Sequence, residues 1–88
     1  MESVYDLYQR GCELLEHGDH EAAIVPLSKA ANLEPDKASI REALGRAMQL
    51  LGRHREACQP LALACSLRPE RADYRLYRDR ARRDALGT

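Results

Sequence analysis

Shifted against itself by 34 residues, the sequence places nine identical pairs in register between positions 4–37 and 38–71. They are Gly11/Gly45, Gly18/Gly52, His20/His54, Ala23/Ala57, Pro26/Pro60, Leu27/Leu61, Ala30/Ala64, Leu33/Leu67 and Pro35/Pro69. Ordinary residue frequencies give about two such coincidences over that length. A fixed period of this size means stacked supersecondary units, none of which buries its apolar face alone. The chain is therefore expected to be an array in which each unit completes its neighbour's core.

Each unit reads as two helices. In the first, Val4, Leu7, Leu14 and Leu15 recur at roughly helical spacing across a segment that runs from Tyr5 to Glu16. Gly18 is expected to end it, because a residue without Cβ enters the left-handed region cheaply. Asp19 is placed as the N-cap of a second helix from Glu21 to Leu33, which Pro35 closes. The next helix begins near Asp36, and the plan repeats as 39–51, Gly52, 54–67 and Pro69. Pro26 and Pro60 fall inside the second helices, where each removes one backbone bond. A bend is expected there rather than a break.

The small residues suggest how the helices pack. Gly11 and Gly45 are expected to face Ala23 and Ala57, with Ala30 and Ala64 against the first helix of the following unit. Leu27 and Leu61 fill the remaining space, each stabilising by roughly 2–3 kcal/mol if fully buried. A last segment, 72–86, continues in the register of a first helix, with Tyr74 and Ala81 turned inward. Asp79 and Arg82 stand there in place of Gly and Leu or Met, which suits a polar terminal cap. The expected organisation is one all-α domain over 1–88, comprising 4–37, 38–71 and a capping helix at 72–86.

Composition supports the class. Leu and Ala dominate the apolar residues, and Trp and Phe are absent. A chain of 88 residues buries only about 60–65% of the surface it exposes when unfolded, so the core is small. Formal net charge is zero, but the two parts oppose each other. Residues 1–37 hold eight acids and three bases (−5), and residues 38–88 hold eleven Arg and six acids (+5). Such polarity fits head-to-tail self-association or simply a dipolar monomer. The sequence opens without a basic and apolar leader and has no apolar run near the ~20 residues of a membrane span. Cys12, Cys58 and Cys65 form no framework, so a cytoplasmic chain with reduced thiols is expected. Twelve Arg against two Lys point to a GC-rich, bacterial genome.

The period, the Leu/Gly pair, the Ala-x-x-x-Leu spacing and the closing Pro resemble the tetratricopeptide repeat over about residues 4–71. The segment at 72–86 is similar to that family's solvating helix. Leu7 and Arg41 occupy the slot where the family often has Trp, Leu14 and Met48 that of Tyr, and Leu27 and Leu61 that of Phe. Arg10 sits where Leu is usual. The resemblance implies a right-handed α-solenoid of five helices whose first helices line a concave groove for a partner peptide or helix. Carried over by position, that groove is lined by Tyr5, Tyr8, Gln9 and Cys12, then Glu42, Arg46 and Gln49, then Leu76, Tyr77 and Arg80. Tyr and Arg often anchor interfaces, although these Tyr residues would equally serve to cover neighbouring helices. A subfamily clamps the C-terminal carboxylate of chaperone peptides. The matching positions here, Tyr8, Cys12, Ala43, Asp73 and Tyr77, supply neither the cation nor the amide of that clamp.

Other chemistries find little support. His54, Cys58 and Cys65 share a helix, but a structural zinc site needs four convergent ligands. Two helical turns separate the cysteines beyond disulfide reach. The arginines of 75–83 are diluted by Glu70, Asp73, Asp79 and Asp84, and a sequence pI near 6.8 is unlike that of dedicated nucleic-acid binders. Phosphate loops, nucleophile elbows and paired-ligand motifs do not occur, so neither enzyme activity nor a cofactor is expected. The expected partners are a protein or peptide segment, or alternatively a second copy of the chain in a domain-swapped or head-to-tail oligomer. Two and a half units lie near the lower limit for a stable array. The first helix is also expected to lack a cap and to leave Val4 and Leu7 partly exposed.

Overall fold

Gly18 and Gly52 adopt φ of 84° and 81°, and these left-handed residues divide each unit into its two helices. The computed structural model describes residues 2–87. Its elements are α1 (Val4–Glu16), α2 (His20–Leu33), α3 (Ala38–Leu50), α4 (His54–Leu67) and α5 (Ala72–Leu86). The class is all-α, and strands are absent among the described residues. Consecutive helices pack as adjacent pairs.

The local signals act with some differences from expectation. Ser3, rather than an open end, starts α1. The Asp6 N–H donates to Ser3 Oγ at 3.1 Å, and the Ser3 N–H donates to Asp6 Oδ2 at 3.4 Å. This capping box satisfies two otherwise orphan donors, and Leu7 directly behind it is buried. Asp19 does precede α2, but its side chain makes no capping hydrogen bond. Helices α2 and α4 run unbroken through Pro26 and Pro60, both of which are buried. The carbonyls that lose a donor to these prolines belong to Ala22 and Glu56, which are exposed, so solvent can take the donor's place.

The glycines pack differently from expectation. A Cβ on Gly11 would lie 2.5 Å from Leu27 Cγ, and one on Gly45 would lie 2.6 Å from Leu61 Cγ. The missing side chain therefore makes room chiefly for leucine. Ala57 contributes only its carbonyl, 3.4 Å from the position on Gly45, and Ala23 is not among the atoms nearest Gly11. Leu27 and Leu61 are the largest fully buried side chains. The main core joins Leu7, Leu15, Leu27, Ala30, Ile40 and Leu44 across α1, α2 and α3. Met48 packs against both this cluster and one formed by Ala57, Leu61 and Ala81, which carries the core on to α5. Ala64, Cys65 and Tyr74 close the far end, while Asp79 and Arg82 remain exposed.

Inter-helix contacts define the curvature. The α1 backbone approaches that of α3, and α3 that of α5, whereas the α2 and α4 backbones do not come within 8 Å among the described residues and are linked at their near ends by Arg53 Nη2 donating to Glu21 Oε1 at 3.4 Å. Helices crowd on the inner side of a curved stack and separate on its outer side. The first helices α1, α3 and α5 therefore line the concave face of a body measuring 40 × 27 × 18 Å. No described helix is long and apolar enough to cross a membrane.

Candidate partner-binding groove

The concave face gathers side chains whose residues lie about 34 positions apart in sequence, and it divides into two parts. Toward the N-terminal end, Tyr5 and Tyr8 line a cavity of about 180 Å³ together with Val4, Ser39 and Ile40. Tyr5 is 69% exposed and free to cover a ligand, while Tyr8 is half-buried against the core. Burial pushes the Tyr8 phenol up to about 12, reinforced by Cys12 and by the negative charge of Glu42, with a Ser39 hydrogen bond acting in the opposite direction. Tyr8, Cys12, Ser39 and Glu42 thus form one neighbourhood spanning α1 and α3. Gln9 is exposed and lines neither this cavity nor the one described next.

Glu42 is buried, not an open lining residue as its register implies. Its Oε2 lies 3.0 Å from Arg46 Nε, a charge contact without the alignment of a hydrogen bond. Arg46 Nη2 donates to Oε1 at 3.4 Å. Burial raises the Glu42 carboxyl above its ordinary range, and nearby Asp73 raises it further, while Arg46 and Arg71 oppose both. Asp73 has its own partner. Arg71 donates to it from Nε at 3.0 Å and from Nη2 at 2.7 Å, and this fork holds the Asp73 carboxyl below the usual range. The Arg71 guanidinium also sits 4.3 Å above the ring of buried Tyr74.

Toward the C-terminal end, Arg46, Gln49, Leu50, Leu61, Tyr77 and Arg80 line a second cavity, of about 140 Å³, between α3 and α5. Gln49 is largely committed to structure here. Its Nε2 donates to Asp84 Oδ2 at 2.6 Å, and its Oε1 accepts from His54 Nδ1 at 2.9 Å, so it ties α3 to both α4 and α5. Tyr77 and Leu50 are partly exposed at 39% and 54%. Leu76 is more exposed still and lies outside the cavity, one turn before Arg80 on α5.

The two cavities thus bring Tyr5 together with Tyr8, and Arg46, Gln49, Tyr77 and Arg80 together with one another, where the register argument puts all of them in a single groove. Glu42 adjoins both groups, near Tyr8 and paired with Arg46, while Cys12 belongs with Tyr8. Leu50, Leu61 and Ser39 were missed. Leu50 follows Arg46 by one turn on α3, and that spacing was the available signal. Nothing local in the sequence marks the side of Leu61 that reaches this cavity. Among the described residues no group of His, Cys, Asp and Glu is arranged to hold a metal ion, and Cys12, Cys58 and Cys65 are free thiols.

No family model matches the sequence, and no curated protein matches it. Among the solved chains that match is a point mutant of MamA, a protein containing tetratricopeptide repeats. It superposes with a TM-score of 0.84 at 25% sequence identity, over 91% of this chain and 44% of the MamA chain. This chain thus spans less than half the length of that neighbour. The fold is a tetratricopeptide-like α-solenoid, an architecture associated with protein interaction.

Proposed function

We propose that the chain is a non-enzymatic adaptor whose concave face, formed by α1, α3 and α5, captures a segment of another protein. The observation that carries this reading is the exposure of large apolar side chains on that face. Tyr5, Leu50, Leu76 and Tyr77 all stand at least partly in water although the adjoining core is well buried. Exposed apolar groups beside arginine have the composition of interface anchors. The groove is assigned to Tyr5, Tyr8, Cys12, Arg46, Leu50, Leu76, Tyr77 and Arg80, with Glu42 and Gln49 holding its walls. The repeat division 4–37, 38–71 and 72–86 belongs to the same reading. Capture experiments with the purified chain test it. The pair Leu76→Ser and Tyr77→Ala is expected to abolish retention of partner, whereas Leu63→Ser on α4 retains it. Equal retention by all three proteins would defeat the assignment.

A second reading rests on a separate observation. The N-terminal end of the stack carries an apolar cavity of about 440 Å³ beside Leu7 and Leu33, in the acidic part of the chain. An end of this kind, opposed by an arginine-rich last helix, suits head-to-tail self-association. Absolute mass by light scattering tests it. A dimer that dissociates at high salt would support it, and a monomer at high micromolar concentration and physiological salt would reject it.

A further inference from the structure

We infer that the cavity between α3 and α5 is a socket for an acidic partner segment, taking one apolar side chain while Arg46 and Arg80 pair with carboxylates beside it. This rests on the groove reading and adds the chemistry of its occupant.

The size of the cavity sets the scale of the ligand. About 140 Å³ lies well below the ~300–1,000 Å³ of sites that enclose drug-sized molecules. It suits one side chain. Leu50, Leu61 and the Tyr77 ring supply apolar wall, and the two guanidinium groups supply the charge.

The local charges set its sign. The carboxylates nearest this end are already engaged: Glu42 with Arg46, Asp84 with Gln49, and Asp79 with Arg78. Arg80 has no ion-pair partner among the described residues, and neither has Arg83, one turn further along the same face. Leu76, Arg80 and Arg83 thus form a stripe along α5 at helical spacing, apolar at one end and cationic at the other. Arg46 is steadied by Glu42 but remains half exposed, so it retains donors for a second carboxylate. A lysine-rich segment would meet uncompensated positive charge here. A glutamate- or aspartate-rich one would complete Arg80 by a forked, charge-assisted contact.

The test is a titration of the isotope-labelled full chain with three short acetylated and amidated peptides, followed by amide chemical shifts. The first has a central leucine flanked by glutamates, the second has lysines in their place, and the third has alanine in place of the leucine. The first is expected to shift the amides of Leu50, Tyr77 and Arg80 saturably. The other two are expected to bind roughly tenfold more weakly or worse, and Arg80→Ala to weaken the first by about tenfold. Arg55→Ala, an exposed change on α4, is expected to leave it unaltered. If the lysine peptide binds the same amides as tightly, the acidic preference is wrong and the groove reading stands. If no peptide moves any amide of α1, α3 or α5, both fail. If those amides shift on dilution of the protein alone, the occupant is a second copy and the acidic-segment proposal is overturned.

Discussion

Leu61 sits in the space that a side chain on residue 45 would occupy, and it is itself almost fully buried. It therefore has little room to retreat. Gly45→Ala is expected to destabilise the fold by about 1–3 kcal/mol through overpacking, despite the helix propensity that alanine adds. Gly52→Ala meets no atom within 4 Å but must hold φ near 81°. Its expected cost is about 1–2 kcal/mol, from backbone strain alone. Urea denaturation of both variants checks this, and a stabilised Gly45→Ala would show that the close approach is not real. Glu42 supplies a pH-dependent counterpart. Its folded-state pKa is raised by burial, so the stability linked to its proton is fully present below the unfolded value and is lost as pH rises through the folded value. Glu42→Gln removes that buried charge and leaves Arg46, half exposed, to solvent. The variant is expected to melt at or a few degrees above the parent at pH 7, with the difference shrinking below the ordinary carboxylate range. Thermal melts at the two pH values decide, and a large loss at pH 7 would show that the ion pair outweighs desolvation.

The bounds of α4 and α5 were legible in full, because Arg53 and Arg71 follow turn residues and a glycine or proline punctuates each end. The start of α1 was read less well. Ser3 and Asp6 have the spacing of a capping box, but the repeat has no counterpart of it, since Lys37 and Ile40 stand at the same positions of the second unit. Ser3→Ala is expected to cost about 1 kcal/mol and to raise hydrogen exchange in the first turn of α1. Unchanged exchange would mean that packing of Leu7 alone fixes that end. The inward turn of Tyr74 on α5 was legible from its register, since it stands 34 residues after Ile40, which is also buried. Tyr74→Ala is expected to cost about 3–5 kcal/mol, a large part of the stability of a domain this small. The tie from Gln49 to Asp84 was not legible. Those residues are 35 positions apart, and only the packing of α5 on α3 brings them together. The same long-range packing withdrew Glu42 from solvent, which periodicity alone does not reveal.

Over the whole molecule, the period fixes the stacking of helices and hence which of them share the concave face. It says nothing of how the charges on that face are paired. Most acids near α3 and α5 are engaged, whereas Arg80, Arg82 and Arg83 on α5 have no ion-pair partner among the described residues. The −5/+5 division of the chain thus has a local expression in the groove as well as a global one along the stack. Binding there is expected to weaken as salt rises, because the partner's charges would meet exposed arginines. The most direct test of the central claim, that the concave face is the binding face, places a photoreactive residue at Leu76 or, in a separate protein, at Leu63. Both sites are exposed, the first on α5 and the second on α4. Adducts with a binding partner are expected from position 76 and not from position 63. Adducts from position 63 with none from position 76 would contradict the account.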